Sequence, residues 1–157
     1  MELSKYKDIV YEIIGSAMAV HHEFGSGLLE PIYQEALSLE LLMHGLSNQR
    51  EEELRVFYKG IELEKRYKMD IVVDDIIVEL KSTIRLLPTH RAQLCNYLRL
   101  SKKPIGLLIN FGEPRLIAER WAYNKYNNKC YIVDKNLNQV FGEDYDSLLD
   151  TCLLYTS

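Results

Sequence analysis

Tyr67-Lys68-Met69-Asp70-Ile71-Val72-Val73-Asp74-Asp75-Ile76-Ile77-Val78-Glu79-Leu80-Lys81-Ser82-Thr83 is the stretch whose reading decides the fold. It reads as two β-branched strands, residues 69–73 and 76–81, joined by a turn at Asp74-Asp75. With the turn centred between those aspartates, Val73 faces Ile76, Ile71 faces Val78, and Asp70 lies directly opposite Glu79. Cross-strand partners share a sheet face, with Cβ atoms roughly 4.5–5.5 Å apart. Two carboxylates then point the same way, close enough to hold one divalent cation between them. Lys81 follows Glu79 by two residues and falls on that face as well. Ile71, Val73, Ile76, Val78 and Leu80 make the opposite face apolar throughout, which marks it as core. The plain alternative is a hairpin with a solvated face and ordinary surface charges. Against it, Glu79-Leu80-Lys81 ends a strand that is otherwise nearly all apolar. Such a strand belongs in the middle of a sheet, where unpaired charge is costly.

Working outward, the 157 residues suit a single domain with a normal core. The net charge of −4 provides no global basic field for nucleic acid, although carboxylates that serve a metal ion inflate an acidic count. The N-terminus opens a charged amphipathic segment instead of an apolar leader, and no apolar run is long enough to span a bilayer. A cytoplasmic protein with no membrane partner is expected. Cys95, Cys130 and Cys152 are widely separated and form no C-x-x-C, which indicates free thiols.

Before the central stretch, Ile9, Val10, Ile13, Ile14, Ala17 and Val20 recur at helical spacing over residues 4–23. Gly25-Ser26-Gly27 breaks that helix, and a second follows over residues 28–44, with Leu29, Ile32, Tyr33, Ala36, Leu37, Leu39 and Leu41 as inward candidates. Pro31 suits its first turn and Gly45 its end. Residues 54–58 and 61–67 read as a hairpin around Lys59-Gly60. After Lys81, a helix over residues 89–100 takes Thr89 as its N-cap and aligns His90, Gln93 and Tyr97 in one stripe. Residues 104–110 form an apolar strand parallel to the Glu79 strand, and residues 116–121 a further one. Beyond Trp121 the chain turns polar, with short strands at 130–133 and 139–141. Its Glu143, Asp144, Asp146 and Asp150 read as a solvated acidic end.

This order of elements, with Asp70 and Glu79-x-Lys81 on the central strands, resembles the PD-(D/E)XK nuclease superfamily. Gly27-Leu-Leu-Glu30-Pro-Ile-Tyr33, Glu79-Leu-Lys81, His90-Arg-Ala-Gln93-Leu-Cys-Asn-Tyr97-Leu and Gly106-Leu-Leu-Ile-Asn110-Phe look like the prokaryotic GxxExxY proteins within it. Gln93-x-x-x-Tyr97 is also similar to the helix motif of the RecB-like branch. Met69 stands where the superfamily name has proline, at a position that carries no chemistry. The resemblance covers residues 11–121.

It implies an α/β fold with a restriction-endonuclease-like αβββαβ core: a mixed central sheet flanked by helices. It implies a nuclease-like domain over residues 1–121 and an extension of unassigned role over 122–157. Asp70, Glu79 and the carbonyl of Leu80 would be metal ligands, with Glu30 an additional acidic ligand. Lys81 would orient the attacking water and offset phosphate charge, making Asp70, Glu79 and Lys81 the catalytic set. Gln93, Tyr97 and His90 would line the cleft, with Lys68 and Arg85 meeting backbone phosphates. Carboxylate oxygens suit Mg²⁺ or Mn²⁺. The expected activity is metal-dependent hydrolysis of nucleic-acid phosphodiester bonds, DNA ahead of RNA, from a monomer or a homodimer. The competing reading is a non-catalytic module on the same fold that binds nucleic acid or protein.

Overall fold

The computed structural model describes residues 2–144, with side-chain burial through residue 140. Asp146, Asp150 and Cys152, and the side chains of Glu143 and Asp144, lie outside the described residues. A single 3₁₀ turn, Ser4–Tyr6, leads into α1 (Lys7–Phe24), followed by α2 (Glu30–Met43). Then come β1 (Gln49–Leu54), β2 (Phe57–Tyr58), β3 (Ile61–Glu62), β4 (Tyr67–Val73) and β5 (Ile76–Lys81). Helix α3 (Pro88–Ser101) crosses to β6 (Ile105–Asn110), and β7 (Ile117–Asn124), β8 (Lys129–Val133) and β9 (Gln139–Asp144) follow. The described strands form one mixed sheet in the order β1-β4-β5-β6-β7-β8-β9, plus a separate β2-β3 pair. Strand β5 runs parallel to β6, while β4 runs antiparallel to both β1 and β5. With helices on both faces of a mixed sheet, the architecture is the expected α/β one.

The two sheet faces bury different cores. Val10, Ile13, Ala17 and Val20 of α1 and Tyr33, Leu37 and Leu41 of α2 close over Ile71, Val73, Ile76, Val78 and Leu80. On the other face, Leu94, Cys95, Tyr97 and Leu98 of α3 close over Val72, Ile77, Leu108 and Trp121. Strand β5 is buried on both sides except at Lys81, which explains why its residues are almost all apolar.

Several expectations are corrected. The inward stripe of α2 is narrower than its composition suggested, because Leu29, Ile32 and Leu39 are exposed and Gln34 and Ser38 are buried in their stead. A tyrosine–leucine stripe at i, i+4 and i+8 is enough to seat a helix on one side of a sheet. The hairpin around Lys59-Gly60 is confined to β2 and β3; Leu54 belongs to β1 and Tyr67 to β4, and the two pair with each other. Strand β1 carries Gln49, Arg50 and three glutamates before Leu54, so it shows no apolar alternation; charge of this kind suits a sheet edge. Thr89 does not cap α3. Pro88 takes the first turn, Leu87 precedes it, and His90 Nδ1 accepts the Leu87 amide at 3.0 Å. Residue 121 lies in β7, and β8 and β9 continue the main sheet beyond it.

Candidate metal centre

The β4–β5 hairpin turns at Asp74, in the left-handed region at φ 50°, a conformation aspartate tolerates. Its ladder pairs Val73 with Ile76, Val72 with Ile77 and Ile71 with Val78. One step further, where Asp70 would pair with Glu79, side chains replace the backbone ladder. The Asp70 amide donates to Glu79 Oε1 at 3.0 Å, and the Leu80 amide donates to Asp70 Oδ2 at 2.8 Å. Each carboxylate thus occupies the backbone position that a continuous ladder would have used. Strand alternation also slips here: Met69 and Val72, three apart, both face α3, while Ile71 faces α1 and α2. On the other flank, Glu51 of β1 interrupts its ladder with φ 54°, between the Arg50–Ile71 and Glu52–Met69 pairs. Asp70 therefore sits at a kink from which both neighbouring strands part.

Glu79 is buried, and burial pushes its carboxyl well above the usual range, with Asp70 adding to the shift. Burial raises Asp70 too, against the opposing pull of the Leu80 amide and with Glu51 adding repulsion. Glu30, in the first turn of α2, is raised by partial desolvation and interacts electrostatically with both Lys81 and Asp70. Lys81 Nζ donates to Gln93 Oε1 at 3.1 Å, and Gln93 Nε2 donates to Tyr97 Oη at 3.0 Å. Tyr97 lies buried behind Gln93, and burial followed by the Glu79 charge raises its hydroxyl to about 12. It is a support at the back of the site.

The surrounding loops are tied to this point. Tyr33 Oη donates to the Gly25 carbonyl at 2.6 Å and accepts the Leu28 amide at 3.2 Å, closing the turn that precedes Glu30. Ser82 Oγ donates to the Leu28 carbonyl at 2.6 Å, joining that turn to the end of β5. The buried Asn110 accepts the Thr83 and Gly112 amides, each at 3.0 Å, and donates to the Thr83 carbonyl at 3.0 Å. A Cβ on Gly112 would meet the Thr83 carbonyl oxygen at 2.2 Å, so glycine lets this loop lie against the backbone.

The structure thus brings Glu30, Asp70, Glu79, Lys81, Gln93 and Tyr97 to one end of the sheet. His90 is engaged with the Leu87 amide, and burial together with Lys81 and Arg91 lowers its pKa. Lys68 and Arg85 are exposed at the same end. Sequence reasoning assigned no role to Glu51, Gln34 or Gly112, and quoted Asn110 only as part of a motif. Gln34 Nε2 donates to Glu51 Oε1 at 3.2 Å and Gln34 Oε1 accepts from Arg50 Nε at 3.2 Å, fastening α2 to β1 beside Asp70. A polar residue ending an apolar strand two positions before a glycine, as Asn110 does before Gly112, was the available signal for the Thr83 lock.

A sequence profile of the PD-(D/E)XK nuclease superfamily matches residues 7–121. The chain belongs to the PD-(D/E)XK nuclease superfamily. The match spans α1 through Trp121 of β7 and contains every residue of the cluster just described. The fold is also similar to a crystal structure of SSO0001, with a TM-score of 0.51 at 17% identity over 98% of this chain and 70% of that one. No curated protein matches the chain.

Superfamily members generally use divalent metals. Among the described residues, no three His, Cys, Asp or Glu side chains are gathered into a cage. The residues present nonetheless fit a hard divalent cation: Asp70 and Glu79 offer facing carboxylate oxygens, and burial raises both, which marks negative charge short of compensation. Mg²⁺ is commonly held by one or two carboxylates together with waters and substrate phosphate.

Proposed function

We propose that this PD-(D/E)XK protein is a metal-dependent nuclease that hydrolyses phosphodiester bonds of cytoplasmic nucleic acid, DNA ahead of RNA, and that it belongs to the GxxExxY group. The observation that carries the reading is the opened β4–β5 ladder, where Asp70 and Glu79 exchange carboxylates and Lys81 stands beside them. A solvated hairpin face would not bury Glu79 against a second carboxylate, because that arrangement costs stability in the absence of a cation.

In this reading Asp70 and Glu79, with the Leu80 carbonyl and Glu30, would hold Mg²⁺ or Mn²⁺. A divalent cation supplies Lewis-acid polarisation of the phosphoryl group and acidifies bound water. Lys81 orients the attacking water and offsets charge gathering on the phosphate, and Gln93 fixes where its ammonium points. Tyr97 holds Gln93 in turn. Lys68 and Arg85 meet the phosphate backbone at the mouth. The Tyr33 and Ser82 hydrogen bonds keep the Glu30 turn and the Lys81 exit in register.

The test is cleavage of labelled DNA and RNA, single- and double-stranded, with Mg²⁺, Mn²⁺ or EDTA, run beside Lys81→Ala. Metal-dependent cleavage lost in Lys81→Ala is the expected result. Folded protein that binds nucleic acid yet cleaves nothing under any metal would overturn the assignment and favour a non-catalytic module. Sedimentation of the same samples distinguishes monomer from homodimer.

A further inference from the structure

The β2–β3 hairpin takes no part in the site as described, yet it is mounted directly on it. Leu54 and Tyr67 form the last pair of the β1–β4 ladder, and the hairpin is the connection between them. Tyr67 stacks at a tilt on Tyr97, ring centroids 5.4 Å apart, and Tyr97 accepts from the Gln93 that holds Lys81. Asp70 lies three positions along the strand from Tyr67, about 10 Å at a strand's rise. Because β4 runs antiparallel to β5, the hairpin emerges at the end of the sheet where β5 reaches Lys81.

The hairpin has a defined turn, and its ends are ion-paired. Lys59 at φ 49° and Gly60 at φ 81° make the doubly left-handed turn that suits a two-residue hairpin. Arg66 pairs with Glu53 at 2.6 Å and with Glu62 at 3.4 Å, bracing it against β1. Tyr58 pairs with Ile61, so these two side chains share one face, at 62% and 70% exposure. Lys59 Nζ stands 5.5 Å from the centroid of the Tyr58 ring. Lys65 and Lys68 are exposed and their ammonium groups form no salt bridge among the described residues, Lys68 standing opposite Glu53 in the β1–β4 ladder. Residues 55–68 hold five basic and two acidic side chains; Arg55 and Arg66 are ion-paired with Glu62 and Glu53, which leaves Lys59, Lys65 and Lys68 as the basic groups open to a ligand.

Tyr58 and Ile61 present an aromatic–aliphatic face to water, and a face of that kind with basic groups beside it suits a ligand. Protein interfaces are depleted of lysine at their cores. An exposed aromatic ring flanked by lysines, concentrated in an otherwise acidic chain, instead matches a strand that offers both π-faces and phosphates. Inside a duplex each base is already stacked on both sides, so a side-chain ring finds a partner only on an unpaired base. Resting on the nuclease reading above, we infer that the β2–β3 hairpin is a stacking platform for single-stranded nucleic acid. Tyr58 and Ile61 receive a base, while Lys65 and Lys68 follow the phosphates toward Asp70, Glu79 and Lys81.

Binding of fluorescein-labelled single-stranded DNA and of the corresponding blunt duplex, measured by anisotropy in EDTA, tests this. Wild type is expected to prefer the single strand. Tyr58→Ala is expected to weaken single-strand binding by about 5- to 100-fold, the effect of losing one base–aromatic stack, while Tyr58→Phe keeps it. Lys65→Ala with Lys68→Ala is expected to weaken binding and to flatten its salt dependence. Tyr58, Lys65 and Lys68 are all exposed, so these variants are expected to fold, which melting curves check. A preference for duplex, or single-strand binding indifferent to Tyr58→Ala, overturns the inference. If Tyr58→Ala changes the sedimentation coefficient and leaves DNA affinity unaltered, the hairpin is a protein contact and the inference also fails. Its failure is separable from that of the nuclease reading. Metal-dependent cleavage lost in Lys81→Ala, beside single-strand binding indifferent to Tyr58→Ala, would sink the platform alone. Tyr58-dependent single-strand binding without cleavage under any metal would sink the nuclease alone.

Discussion

Lys81 reaches across to Gln93, its Nζ donating to Oε1 at 3.1 Å, so the ammonium beside the carboxylate pair is aimed by a helix that enters the fold only after β5. Gln93→Ala is expected to keep the fold, at a cost of about 1 kcal/mol for the lost hydrogen bonds. Cleavage is expected to fall roughly 10- to 100-fold because the lysine loses its aim. Lys81→Ala removes the charge itself, and a loss of at least about 10²-fold follows. Single-turnover rates beside melting curves check both. Normal turnover in Gln93→Ala with a large drop in Tm would make Gln93 structural.

Burial raises the proton affinity of both Asp70 and Glu79, with the Asp70 charge adding to the rise at Glu79 and the Glu51 charge to that at Asp70. A carboxyl whose folded pKa exceeds its unfolded pKa binds its proton more tightly in the native state. Its stabilising effect is complete below the ordinary carboxylate range, about 4, and is lost as pH rises through the raised folded values. Metal-free protein is therefore expected to lose stability across that window. Above it, a divalent cation at a hundredfold excess over its Kd is expected to restore about 2.7 kcal/mol. Asp70→Asn and Glu79→Gln retain the hydrogen-bond acceptors yet lose the repulsion, so each is expected to be at least as stable as wild type in EDTA and indifferent to Mn²⁺. Melts in EDTA and in Mn²⁺ decide this; a full metal shift in Asp70→Asn would mean the carboxylates share no ion.

Tyr33 stacks on Phe111 at 4.5 Å while its hydroxyl closes the Gly25–Leu28 turn. Tyr33→Phe keeps the stack and removes the clasp. Stability is expected to fall by about 1–3 kcal/mol for the groups left unsatisfied. Metal affinity is expected to weaken as well, because Glu30 follows that turn directly. Isothermal titration with Mn²⁺ measures it, and unchanged affinity would place Glu30 outside the metal's reach.

Gly112→Ala is expected to be more damaging than any of these, because its methyl group would overlap the Thr83 carbonyl oxygen. The loop after Lys81 must move, and both stability and cleavage fall together. Asn110→Ala leaves the backbone room but strands the Thr83 and Gly112 amides, a cost of about 1–3 kcal/mol for each group left buried and unpaired. Urea unfolding orders the two variants, and wild-type stability in Gly112→Ala would mean the loop has space to yield.

A chain ending at Ala122 would expose the fully buried Trp121 along an unpaired β7 edge and delete Tyr123, Cys130 and Val133 from the two cores. It is expected to be insoluble or to melt far below the full chain. Soluble expression and circular dichroism test this, and a well-folded product would show that the sheet is complete without β8 and β9.

The sequence determined by itself that two β-branched strands meet at Asp74-Asp75 and that Asp70 stands opposite Glu79, because a two-residue turn and a period of two leave one register. It determined the helical faces of α1 and α3 for the same local reason: side-chain spacing along one element is set by that element's own geometry. It missed β1, since Gln49 to Glu53 owe their strand to the neighbour they pair with and not to any apolar pattern. The exchange of carboxylates across an opened ladder, the slip at Asp70, and the locks from Gln93, Tyr33 and Asn110 were decided only by tertiary structure. Each joins residues from elements far apart or bends a strand against its own alternation, and the energy that fixes such contacts comes from packing and hydrogen bonds that exist only once the sheet and its helices have closed.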